Sequence, residues 1–262
     1  SIQGANGYDV WVLELGRGTL TRLTFGEGSS TRPLWSPDGE RVLFDSNRVE
    51  GTYNIFSQSA DGSGTAEQLT TGAYRTPTSV SSDGKTIVFR QNSDTTTGRD
   101  IGMVRLEGER KPEMLLQTPF EEHTGMLSPD DRWLAYVSNE SGREEIYVTP
   151  FPGPGGKLQI STEGGTEPLW SRDGRELFYR SGEKMMAVAI SLEPELTPGK
   201  ATLLFEGRYQ TGLVGANPAS NYDVARDGRF VMIRAEEGSG PPQINVVLNW
   251  FEELKRLVPT DN

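Results

Sequence analysis

The chain has 262 residues, 34% of them hydrophobic, with 31 glycines, 16 prolines, no cysteine and a formal net charge of −11. An acidic chain without a Lys/Arg run does not track a nucleic-acid backbone, and the lack of cysteine excludes disulfides, thiolate metal sites and cysteine nucleophiles. No stretch approaches the 18 consecutive apolar residues of a membrane-spanning helix, while 23 aromatic residues set within apolar runs exclude a disordered chain.

From the N-terminus, Asp9–Leu13 and Leu20–Thr24 alternate as two strands. A four-part unit follows. Trp35 ends a first strand, Ser36-Pro37-Asp38-Gly39 makes a tight turn, and strands are predicted at Val42–Phe44, Asn54–Phe56 and Gln68–Thr70. The second unit has its turn at Ser81-Ser82-Asp83-Gly84 and strands at Ile87–Phe89, Ile101–Val104 and Met114–Leu116. The third turns at Ser128-Pro129-Asp130-Asp131, with strands at Leu134–Tyr136, Ile146–Val148 and Gln159–Ser161. The fourth turns at Ser171-Arg172-Asp173-Gly174, with strands at Leu177–Tyr179, Met186–Val188 and Leu203–Phe205. The last has Ala225-Arg226-Asp227-Gly228, strands at Phe230–Ile233 and Asn245–Val247, and a tail, Asn249–Leu257, patterned as a short amphipathic helix.

The five turn aspartates are separated by 45, 47, 43 and 54 residues. Proline presets the turn, aspartate bonds its own backbone and glycine takes a positive φ, so repetition of turn chemistry explains these carboxylates better than a carboxylate ring does. Four-stranded units of this period bury both faces only when stacked side by side. The fold expected is therefore an all-β β-propeller of four-stranded blades, a single domain over residues 1–262, with six blade positions and an incomplete first blade. Five-bladed closure is the alternative. The divisions are terminal strands 1–25, repeat blades 26–72, 73–118, 119–163 and 164–207, a last blade 208–250 and a tail 251–262. Val246–Trp250 is expected to pair near Asp9–Leu13 and shut the ring.

With strands lettered A to D from the axis outwards, the A–B and C–D turns share one face. The Asp-Gly turns there leave little room for a site. The longer loops 47–53, 92–99, 140–144 and 208–221 gather on the other face, where loops on a rigid scaffold carry function. The candidate binding residues are Arg32, Arg48, Arg75, Arg99, Glu122, His123, Glu140, Glu167 and Asn221. Those entering strand A (Arg32, Arg75, His123, Glu167, Asn221) line the axial mouth, and the mixture of cations and carboxylates suits a protein or peptide ligand.

His123 is the single histidine, so a three-histidine zinc site is impossible and any Ser-His-Asp apparatus must use it. No serine lies in a nucleophile-elbow sequence, and His123 reads as a polar loop residue bonded to a carboxylate, with a general base the alternative. No catalytic residue, metal or cofactor is assigned. Calcium is compatible with carboxylates and carbonyls converging on an axis, but no EF-hand-like loop is present, and Asp61-Gly62-Ser63-Gly64 reads as a hairpin turn. Nothing selects a carboxylate pair for glycoside hydrolysis.

Trp35-Ser36-Pro37-Asp38-Gly39 followed by Val42–Phe44 and Ser46-Asn47-Arg48 resembles the WD-like repeat of TolB-type (PD40) propellers, and Trp170-Ser171-Arg172-Asp173-Gly174 with Leu177–Tyr179 matches it again. The string from Tyr147 to Lys157 and the ending Val246–Trp250 are similar to propellers found C-terminal to bacterial serine/threonine protein kinases. That resemblance implies an extracytoplasmic (periplasmic or cell-surface) sensor or scaffold module without catalysis. It also implies a further turn-and-strand unit upstream of Gly7–Trp11, so that the sequence begins inside strand B of its first blade. A chain starting at Ser1 without a methionine is expected to be processed or part of something longer. No kinase loop or His-Arg-Asp triplet is present. A monomer is expected, with a dimer through the incomplete blade the alternative, and a hydrolase with a site at the axial mouth is the competing function.

Overall fold

The structure is a computed structural model and describes residues 1–4, 7–26, 28–92, 98–153, 155–191, 195–210, 220–225 and 228–233. Twenty-three strands are assigned among these residues. At the N-terminus, β1 (Ile2–Gly4) pairs antiparallel with β2 (Gly7–Asp9), and β3 (Trp11–Glu14) with β4 (Thr19–Arg22). β1 takes the strand-B place beside the start of strand C.

Four sheets follow in chain order. The first contains β5 (Ser30–Trp35), β6 (Arg41–Ser46), β7 (Asn54–Ser59) and β8 (Glu67–Gln68). The second contains β9 (Arg75–Val80), β10 (Thr86–Asn92), β11 (Arg99–Arg105) and β12 (Pro112–Leu116). The third contains β13 (Glu122–Leu127), β14 (Trp133–Ser138), β15 (Glu145–Pro150) and β16 (Leu158–Gln159). The fourth contains β17 (Thr166–Trp170), β18 (Glu176–Ser181) and β19 (Lys184–Ser191), with both β20 (Thr197–Pro198) and β21 (Thr202–Glu206) on the far side of β19. β20 is an addition that the repeat did not predict. The last pair is β22 (Tyr222–Val224) and β23 (Phe230–Met232). All pairings are antiparallel, and all but β19–β21 join sequence neighbours within a sheet, which is the up-and-down order of propeller blades.

Why the units stack is visible in strand B. Each reads as a nearly continuous apolar run because both of its faces are covered. Ile87 and Phe89 pack with Leu43, Ile55 and Leu69 of the unit before, whereas Val88 packs with Leu127, Leu134 and Tyr136 of the unit after. Ala135 and Val137 likewise join Trp170, Leu177 and Tyr179, and Phe178 joins Tyr222, Val224 and Met232. Val10 and Leu23 pack on Val42 and Phe44, so the N-terminal strands form one more layer of the stack.

The turn bonds confirm the turn chemistry. In the first unit, Ser36 Oγ donates to Asp38 Oδ1 (2.5 Å), Glu40 N donates to the same oxygen (2.9 Å) and Arg41 N donates to Ser36 Oγ (2.9 Å). The pattern recurs around Asp83, Asp130 and Asp173. In the third turn Asp131 stands where the others have glycine, at φ 56°, and its carboxylate accepts from Ser82 N and Oγ of the neighbouring unit. The serine hydroxyl first, and then the backbone amide, hold Asp38, Asp83 and Asp173 below the ordinary aspartate value. A depressed carboxylate contributes stability that is present above its unfolded value, near pH 3.9, and is lost as pH falls through the folded one. The melting temperature should therefore drop on acidification through this range. In a Ser36→Ala/Ser81→Ala/Ser171→Ala protein the drop should be shallower; equal slopes in the two titrations would contradict this origin.

A second repeated tie joins strands C and D. Asp9 accepts from Thr24 Oγ1, Asn54 from Thr70 Oγ1 and Glu145 from Ser161 Oγ, while the hydroxyls accept from Val10 N, Ile55 N and Ile146 N. The second unit lacks this hydroxyl. Gln117 Nε2 reaches Asp100 Oδ2 at 3.3 Å, and Oδ1 of this buried carboxylate has no partner. The strand expected at 245–247, the closing contact of 246–250 and the helical tail 249–257 lie outside the described residues.

Candidate functional site

Strand A of each four-part unit carries one β-bulge: the register against strand B shifts between Thr31 and Leu34, between His123 and Met126, between Thr166 and Leu169, and in the second unit at Thr78. Bulges re-aim side chains. The residue six before the turn aspartate takes a positive φ in three units, Arg32 (49°), Thr124 (52°) and Glu167 (55°). The corresponding Pro77 cannot. A left-handed non-glycine residue costs roughly 1–3 kcal/mol and tends to mark functional positions.

Around the first three units the structure brings Arg32, Arg99 and His123 together with residues that the sequence reading missed. Asp45, fully buried on β6, accepts from Arg32 Nη1 (2.7 Å), Thr76 Oγ1 (2.8 Å) and the Thr31 hydroxyl. Arg90 on β10 is 1% exposed. Its Nη2 donates to Thr76 Oγ1 (3.2 Å), its guanidinium lies 5.6 Å from the Tyr74 ring, and its Nε and Nη1 have no partner. Burial first, and Arg32 next, push the Arg90 guanidinium down to about 10. Asp45, Arg90, Val137 and Arg180 occupy the same place, seven after the turn aspartate. A charge closing an apolar strand-B run was the available signal.

His123 lies in β13, 1% exposed, and is not a loop residue. It is bonded to a carboxylate as expected: Nε2 is 3.0 Å from Glu144 Oε1, and Nδ1 is 2.9 Å from Thr124 Oγ1. Burial lowers its proton affinity despite Glu144, which favours the neutral ring donating to Glu144 and accepting from Thr124. With both nitrogens engaged and the ring almost fully buried, it is not placed as a general base. Glu122 is buried rather than solvated at the mouth; its Oε1 accepts from Thr118 Oγ1, its Oε2 has no partner, and burial raises it above the ordinary glutamate value.

Arg99 pairs with Glu121 (3.0 Å). The remaining candidates are arranged more widely. Arg75 bonds Gln91 and the Thr71 carbonyl and lies 5.4 Å from the Phe89 ring. Arg48 lies over Phe44 and Phe56 and bonds Ser46 and Ser30, and Glu140 pairs with Lys157. Glu167 is buried in a tie between the fourth unit and the last: its Oε2 accepts from Asn221 N (3.0 Å) and its carbonyl from Tyr222 Oη (2.7 Å).

The Asp-Gly face is roomier than expected. A cleft of about 760 Å³ lies there, bordered by Arg132, Asp173, Arg175, Ile190 and Pro198. The turns are short, but the added strand β20 builds a wall beside them. Among the described residues no group of three or more His, Asp or Glu side chains converges, and no helix is long and apolar enough to cross a membrane.

The family model of the TolB beta propeller domain, PD40, matches residues 1–148. An uncharacterized protein of Agrobacterium fabrum is 39% identical over 67 residues, 26% of this chain and 22% of that protein, so the match spans about a fifth of the curated relative. Among solved structures, the putative TolB from Agrobacterium tumefaciens superposes with a TM-score of 0.63 at 18% identity, over 75% of this chain and 73% of the other. The oligogalacturonate lyase from Vibrio parahaemolyticus gives 0.58 at 13% identity, over 89% and 73%. At these identities the likeness to solved structures is one of fold.

Proposed function

The chain belongs to the TolB β-propeller domain family, and from that premise we propose that it is a non-catalytic binding module that docks a protein segment or peptide at its axial mouth. The observation that carries this reading is the concentration of guanidiniums there. Arg32, Arg90 and Arg99 are near enough to act on one another or on His123 electrostatically, in a chain whose net charge is −11. Arginine anchors interfaces because its planar fork binds carboxylates bidentately and stacks on aromatic rings. A partner with an acidic side chain or a C-terminal carboxylate finds such donors there, Arg32 among them at a strained strand entry. The module fits the sensor or scaffold part of a larger bacterial protein, outside the cytoplasmic membrane, a reading supported by the similarity of the strings noted above to kinase-linked propellers. It needs no cofactor.

A hydrolase at the same mouth is the competing reading, and a panel of ester, peptide and glycoside substrates separates the two. We expect no saturable turnover. Turnover that His123→Ala or Glu122→Gln abolishes, in a protein that still melts cooperatively, would replace the binding module with an enzyme.

A further inference from the structure

Arg90 is a fully buried cation with no ion-pair partner among the described residues. The carboxylate nearest it already serves other groups: Asp45 takes Arg32 and two threonine hydroxyls, while Arg99 and His123, the neighbouring polar groups, have Glu121 and Glu144 of their own. Leaving a buried charge unpaired is among the costlier arrangements in a protein, and an arriving counter-charge relieves it. Arg32 stands on the same bridge. Arg90 Nη2, Thr76 Oγ1, Asp45 Oδ2 and Arg32 Nη1 form one chain of hydrogen bonds, and Arg32 Nε, like Arg90 Nε and Nη1, is buried without an acceptor. The fourth unit supplies the contrast. Arg180 has the same repeat position, burial and unpartnered Nε and Nη1, but the place that Arg32 holds in the first unit, six before the turn aspartate, is Glu167 in the fourth.

We propose that Arg90 and Arg32 together receive one carboxylate group of the docked ligand, the free N–H groups of the two guanidiniums donating to its oxygens. This rests on the peptide-docking reading and names the group recognised. The half-buried Tyr74, in the connection ahead of β9, lies over the Arg90 guanidinium, so the carboxylate reaches it when that ring moves aside.

The test follows the arginine Nε–H resonances by NMR while sodium acetate is added at constant ionic strength, and then with short peptides. Acetate should shift Arg90 and Arg32 saturably, with a dissociation constant on the order of millimolar, and leave Arg180 in place. Tyr74→Ala should tighten acetate, and Arg90→Gln should abolish the Arg32 shift. Peptides with a free or amidated C-terminus, with and without Asp or Glu, then distinguish a terminal from a side-chain carboxylate as the source. If peptides bind while the Arg90 and Arg32 resonances stay fixed, the carboxylate receptor is wrong and the docking reading stands. If acetate shifts both arginines but no peptide binds, the receptor stands and the docking reading fails. Equal shifts at Arg180 would overturn the assignment to this arginine pair.

Discussion

Replacing Asp45 with alanine is expected to cost about 3–5 kcal/mol, because removing one partner of a buried ion pair strands the other. The carboxylate is fully buried, and Arg32 Nη1, Thr31 and Thr76 all bond to it. Without it, Arg32 and Arg90 form a pair of mutually repelling guanidiniums, and the threonine that carries the Arg90 bond loses its own acceptor. Asp45→Asn keeps an acceptor and removes only the charge, so it should cost less than alanine. Chemical denaturation of the three proteins checks the order. Equal stability of wild type and Asp45→Ala would show that the arginines do not depend on this carboxylate.

The second large effect uses the repeat as its own control. Trp35 and Trp170 hold the same place, immediately before the turn, but Trp170 is 6% exposed and Trp35 is 51% exposed. Trp170 packs among Ala135, Val137, Ile146 and Leu177, and its Nε1 donates to the Met126 carbonyl of the preceding unit at 3.1 Å. Truncating a buried tryptophan to alanine costs about 3–5 kcal/mol. At the exposed site the loss should be within about 1 kcal/mol, near the usual range of surface substitutions. Matching destabilisation by Trp35→Ala and Trp170→Ala would mean that the two units are packed alike, against the burial difference.

These two residues also show how far the sequence could be read. The turn serines and aspartates act within five residues of one another, so their period exposed the blades directly. The alternating faces of strand B followed from apolar runs such as Ile87–Phe89, which only a stack of sheets covers on both sides. Trp35 and Trp170 are indistinguishable in sequence; their different burial arises from what lies beside each unit. The site was legible only in part. Arg32 and His123 were found from their place at the entry to strand A, but the burial of His123 depends on how the bulge turns Thr124, and the bulge leaves no mark in composition. Arg90 was missed because an arginine after Phe89 reads as the polar end of a strand. Its significance comes from Asp45, 45 residues earlier, being spent on another arginine.

The axial mouth as the binding face is tested most directly by peptides selected from a random-sequence display library against the immobilised domain. Their affinity is then compared between two variants. Arg75→Ala/Arg99→Ala alters the mouth and leaves the Asp45–Arg32 pair intact, whereas Lys85→Ala/Arg175→Ala alters the Asp-Gly face, where Lys85 and Arg175 follow the turn aspartates. Binding should weaken more than about tenfold in the first variant, as for arginine anchors elsewhere, and change little in the second. Retained affinity in the mouth variant with loss in the Asp-Gly variant would put the binding face on the opposite side of the propeller.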